Sequence, residues 1–180
     1  MDAMRDPGHN APSESSPEPT MKPTLSRLPA AVLLCATAMA APALAADASV
    51  EDRLKARGIQ FEVDQDGDYQ VTYSYKQENR TQLVFVSGRT EEVNGLNIRE
   101  VFSPAGRVAA DGIDGAKALA LLAESRAQKV GGWELSGDVL YFVIKLPDSV
   151  DAAALEAAMD IAAETADNKE IELSGDKDDL

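Results

Sequence analysis

The sequence predicts an α+β fold, an antiparallel sheet packed by helices in the order α-β-β-β-α-β-β-α, and three observations carry the prediction. Apolar residues recur at every second position in several short segments, the pattern of half-buried strands. Two longer segments switch to helical spacing, one between the strand groups and one after them. The strand-like segments are joined by short polar turns such as Asp66-Gly67 and Ser136-Gly137-Asp138, which reverse the chain into hairpins.

Taken in order, residues 49–57 read as a short helix. Ser49 is its cap, Glu51 and Asp52 sit at the positive end of its dipole, and Gly58 ends it. Residues 59–63 (IQFEV) alternate as a strand, and Asp66-Gly67 suits a two-residue type I′ turn, in which both residues take positive φ. Tyr69, Val71, Tyr73 and Tyr75 alternate with Gln70, Thr72 and Ser74, which defines the second strand. Gln77 to Arg80 makes a polar turn, and residues 82–86 form a third strand, apolar on both faces and central. Residues 87–104 are less legible; Leu96, Ile98, Val101 and Phe102 suggest a short strand or a packed loop.

Asp114 opens the middle helix, which runs to about Lys129 with Ala118, Leu119, Leu122 and Ala123 on its buried stripe; Gly131-Gly132 ends it. Residues 133–135 and 139–146 form a hairpin, whose second strand (VLYFVIKL) is apolar on both faces and suits the sheet centre. Asp148 caps the last helix, with Asp151 in capping-box position, and Val150, Ala154, Leu155, Ala158, Met159, Ile161 and Ala162 form its buried face. Residues 171–173 suggest a last edge segment, and residues 174–180 an acidic, frayed tail.

Ahead of this domain, residues 21–45 (MKPTLSRLPAAVLLCATAMAAPALA) read as a secretion signal. Lys22 and Arg27 give a basic start, residues 28–41 an apolar run, and Ala43 and Ala45 the small side chains that signal peptidase accommodates. The run is shorter than the roughly 20 residues a membrane-spanning helix needs. Leu34 before Cys35, and the apolar run continuing past it, argue against lipidation at that cysteine. Residues 1–20 are polar and rich in Pro and Ser, a disordered leader or sequence upstream of a true start at Met21. Cleavage after Ala45 or Ala46 leaves a single domain over residues 46–180, periplasmic or secreted and without a stable membrane anchor.

That export signal has a chemical consequence. The one histidine, His9, and the one cysteine, Cys35, both leave with the processed segment. Serine-histidine and cysteine-histidine catalysis, and zinc sites built from Cys and His, leave with them. No phosphate-binding glycine loop or dinucleotide fingerprint follows a strand, so no cofactor is expected. From Ala46 onward 27 acids face 14 Lys and Arg, a net charge of −13 that repels nucleic acid and anionic membranes. Asp64, Asp66 and Asp68 resemble a calcium loop only superficially. Counting from Asp64, Gly67 stands fourth rather than sixth and position twelve is Tyr75 rather than Glu, so the cluster reads as a charged turn. Asn79-Arg80-Thr81 is a glycosylation sequon for a host that glycosylates, and the Lys177–Leu180 ending has no supporting retention context.

Four stretches carry a family resemblance: LVFVSG at residues 83–88, LALLAES at 119–125, GGWELSGDVLYFVIKLP at 131–147 and AALEAAMDIAAETADNKEIEL at 153–173. Across residues 50–173 the chain resembles the YbjN-like family of bacterial sensory-transduction regulators, with a fold similar to that of type III secretion chaperones. The resemblance implies an interaction module, often a homodimer, with no catalytic motif to carry over. Those chaperones act in the cytoplasm, whereas this chain carries an export signal.

The leading expectation is therefore an exported, non-enzymatic module that binds a protein partner. Trp133, at the start of a strand, is either a core anchor whose indole N–H meets a backbone carbonyl or an interface anchor. Tyr69, Tyr73 and Tyr75 share one strand face, either as core against a helix or as an aromatic stripe for a partner. Two alternatives stand beside this reading: a carrier of a small apolar ligand held between sheet and helices, and a carboxylate-dependent hydrolase.

Overall fold

The computed structural model describes residues 49–76, 79–175, 178 and 180. The leader, the signal segment, His9 and Cys35 lie outside them. The elements are α1 (Val50–Ala56), β1 (Glu62–Val63), β2 (Tyr69–Tyr75), β3 (Arg80–Val86), β4 (Glu91–Val93), β5 (Leu96–Arg107), α2 (Gly115–Ala127), β6 (Gly132–Ser136), β7 (Val139–Pro147) and α3 (Ala152–Ser174). All strand pairings are antiparallel, in the order β1-β2-β3-β5-β7-β6 with β4 beside β5. This is the α+β fold that the alternation and helical spacing predict.

The register explains the core. Val71 pairs with Val84, Val86 with Val101, Val101 with Ile144, and Ser103 with Phe142. These side chains point to one face, where α3 lays Leu155, Met159, Ala162, Ala163 and Ala166, all fully buried. Alanine lets the helix axis approach the sheet closely. α1 adds Val50 and Leu54 beside α3. The opposite face carries Phe85 stacked on Phe102 at 5.2 Å, with Tyr141 edge-on to Phe102 at 5.7 Å. Among the described residues no helix packs there.

Ionic clamps fix the ends of the elements. Asp148 Oδ1 accepts from Arg53 Nη2 at 2.7 Å and from Arg99 Nε at 2.6 Å, tying α1 and β5 to the turn before α3. The Arg99 hydrogen bond, opposed by desolvation and reinforced by Arg53, lowers the Asp148 carboxyl to about 2. Asp148 is thus an ion-pair hub and not the helix cap; the cap is Asp151, whose side chain accepts from Ala154 N. At the other end, Arg80 pairs with Asp167 at 3.0 Å and Glu170 at 2.8 Å, all three side chains buried.

Several expectations are corrected. Residues 87–104 hold a hairpin, not a loop or one short strand. Asn94 and Gly95, at φ 51° and 84°, turn β4 into the 12-residue β5. A register shift between Pro104 and Gly106 absorbs the proline, so the strand runs past it. β7 is interior but one strand from the edge; β3 and β5 hold the centre. The first strand shrinks to Glu62–Val63, and its turn is not type I′, since Gly67 but not Asp66 has positive φ. Instead Asp64 Oδ1 accepts from the N–H groups of Asp66 and Asp68. Residues 171–173 continue α3 rather than forming an edge strand, and Asp178 accepts from Thr81. On α3, Ala154 and Ile161 are exposed, and Ala163 and Ala166 are buried in their stead.

Candidate functional site

The largest departure from expectation marks the candidate site. On α2 the predicted buried stripe is exposed: Leu119 and Leu122 are 69% and 68% accessible, and Leu121 is the helix's one buried side chain. The reason is position. α2 packs chiefly on β6, the outermost strand, so only the narrow sector around Leu121 meets the sheet. Residues 115, 119, 122 and 126 share a flank roughly a third of a turn away at ~100° per residue.

That flank and the sheet edge enclose a groove of about 350 Å³. It is lined by Leu119, Leu121 and Leu122 on the helix and by Trp133, Leu135 and Leu140 on the hairpin, with Gly115 and Ala118. Leu135 is itself 54% exposed. Its lining side chains are apolar apart from the Trp133 indole N–H. Exposed apolar side chains scattered singly need no explanation, whereas contiguous ones around a groove make it the candidate site.

Trp133 forms the inner wall. It is half-buried, edge-on to Phe142 at 5.1 Å, with Lys169 Nζ 5.7 Å from the ring centre. Its indole N–H donates to Glu124 Oε2 at 3.2 Å, not to a backbone carbonyl as expected, and its backbone N–H donates to Ser125 Oγ at 2.9 Å. Glu124 and Glu172 both pair with Lys169, at 2.9 and 2.5 Å. Burial works against the Lys169 charge, and the hydrogen bonds to Glu172 and Glu124 outweigh it, so the ammonium is held above its ordinary range.

The three tyrosines do not join this site. They share one face of β2, as the alternation requires, and each is half-buried. β2 lies four places from β6 in the sheet order. Tyr69 packs edge-on to Phe61, and Tyr73 donates to Asp160 of α3 at 2.8 Å. Burial, and then that hydrogen bond, push the Tyr73 hydroxyl above the usual phenol range. Tyr75, with Tyr73, borders a separate groove of about 390 Å³ that also takes in Asp160, Glu164 and Asp167.

Some other surface carboxylates serve the fold. Asp64 closes its own turn, and Asp68 Oδ1 accepts from Gly88 N–H. Among the described residues no group of three His, Cys, Asp or Glu side chains is placed to hold a metal ion. No helix there is long and apolar enough to cross a membrane. The exposed leucines were missed because α2 carries apolar residues on more than one sector, and helical spacing alone cannot tell which sector meets the sheet. The Ala-rich sequence of α2 was the available signal, since alanine leaves Leu119, Leu121 and Leu122 as its large apolar groups.

In comparisons with known proteins, no family model matches the chain, and no curated protein matches it.

Proposed function

We propose that this chain is an exported, non-enzymatic protein-interaction module, allied to the YbjN-like and chaperone-like group it resembles, whose docking surface is the α2–β6 edge. The observation that carries the reading is the pair Leu119 and Leu122 at 69% and 68% exposure beside an apolar groove. Burying a leucine side chain is worth roughly 1.5–3 kcal/mol, so covering this flank is a real driving force for association. The partner is a protein surface, a second copy of the chain included.

A carrier of a small apolar ligand is the second reading, since about 350 Å³ lies within the usual range of ligand pockets. A small molecule in the groove would touch the same Leu119 and Leu122 that a macromolecular face would cover, so partner capture and solution mass separate the two readings. The test is capture of partners from periplasmic extract by the tagged protein, with the mass in solution measured by light scattering. Leu122→Glu is expected to lose the captured protein, or to halve the mass if the partner is a second copy. Its thermal midpoint should stay put, because surface changes usually stay within about 0.5 kcal/mol. Equal capture and equal mass for the two proteins would refute the reading.

A further inference from the structure

Trp133 borders two grooves that α2 keeps apart. On the outer flank lies the apolar groove already described. On the inner flank, between α2 and α3, lies a second groove of about 320 Å³, bordered by Glu124, Gln128, Trp133, Lys169 and Glu172 among others.

The helix between them is held lightly. Leu121 is its one buried side chain, and apart from Lys117 Nζ, which donates to the Asp111 carbonyl at 2.8 Å, its polar contacts to other segments gather at one place: Ser125 with the Trp133 backbone, and Glu124 with the indole N–H and Lys169. The segments at both ends can pivot. Ile113 is buried in the core and anchors the entry to the helix, so the pivot falls after it, at Gly115, which has open space around it. Residues 128–130 are exposed, and beyond them Gly131 is pinned to β7, since an added Cβ there would lie 2.6 Å from the Val143 carbonyl oxygen. Between the pivots, five alanines and three leucines in 13 residues favour the helical state, so the segment can move as a body.

We infer that α2 is a hinged cover, latched by the Glu124–Lys169 pair over Trp133, and that its release joins the two grooves into one site floored by the indole. The cover then sets how much of the docking surface a partner meets: an apolar lip when latched, and a longer groove with a polar end when open. This role rests on the docking reading. The opening itself does not, and it is measured on the protein alone.

The experiment is amide hydrogen exchange read by mass spectrometry on the full chain in a Cys35→Ser background. The unmodified α2 is expected to exchange faster than α3. Glu124→Gln, at a side chain 41% exposed, should speed α2 by about tenfold and leave α3 and β5 unchanged. Lys169→Met should do the same. A lock supplies the opposite perturbation. A Cβ on Gly132 would lie 3.3 Å from Ser125 Cβ, close to the separation a disulfide spans, so Ser125→Cys with Gly132→Cys can pin the helix. Oxidised, this variant should slow α2 exchange by about tenfold and shield Trp133 from acrylamide; reduction should reverse both. A common exchange rate for α2 and α3, or an α2 rate unmoved by Glu124→Gln, overturns the inference. Faster α2 exchange in the latch variants, with partner capture untouched by Leu122→Glu, upholds the cover and refutes the docking reading.

Discussion

Replacing Asp148 by Asn tests whether an ionised carboxylate, and not mere packing, joins α1, β5 and α3. The carboxylate sits between Arg53 and Arg99, whose side chains are only 3% and 8% exposed, while its own is 26% exposed. Its folded-state pKa of about 2, against an ordinary 3.8, corresponds to about 2 kcal/mol of stabilisation at neutral pH. The folded pKa lies below the unfolded one. The contribution is therefore complete above about pH 4 and is lost as pH falls through about 2. Asparagine mimics the protonated acid, so Asp148→Asn should cost about 2 kcal/mol at pH 7, near 1 M in the urea midpoint. The gap between wild type and variant should close between pH 4 and 2, which removes the effect of other titrating carboxylates. Trp133 fluorescence during urea unfolding gives the midpoints. A gap of equal size at pH 7 and pH 2.5 would show that shape, not charge, holds this junction.

Two further predictions concern close contacts between segments. Gly131→Ala should destabilise by about 2 kcal/mol or more, because φ is 80° and the new Cβ meets the Val143 carbonyl oxygen at 2.6 Å; a thermal midpoint within a degree of wild type would contradict it. Arg80→Met should cost about 3–5 kcal/mol by leaving Asp167 and Glu170 buried beside a neutral side chain. The triple variant Arg80→Met, Asp167→Leu, Glu170→Met should regain most of that in the same urea titration, and a triple no better than the single variant would refute the account.

Strand and helix identities were legible wherever period and turn chemistry agreed. Tyr69–Tyr75 alternates cleanly and is a strand; Ser49 and Asp114 cap helices where their side chains can reach the next turn. The failures have local physical causes. Asn94-Gly95 is a strong hairpin signal, but its three-residue first arm, Glu91–Val93, is too short to show alternation. Pro104 reads as a strand end because it lacks an N–H, yet the register shift beside it leaves the ladder intact. Asp148 looks like a cap from its spacing; only the fold brings Arg53 and Arg99 to it from 95 and 49 residues away. The candidate site was half legible. Trp133 stands out as the single tryptophan of the chain, whereas the spacing of Leu119 and Leu122 suits a core stripe and the sequence does not show that α2 sits over an edge strand.

The two-residue length of β1 bears on stoichiometry. A sheet recruits another sheet through a free edge, and an edge is useful in proportion to the backbone groups it presents. β1 offers two residues, and β4 offers three with Glu91 and Glu92 among them, a charged rim that repels its own kind. β6 offers five. β1 pairs only with Tyr69 and Gln70, so residues 71–75 of β2 form a second open edge of five residues, and two molecules joined β6 to β6 still present it on both sides.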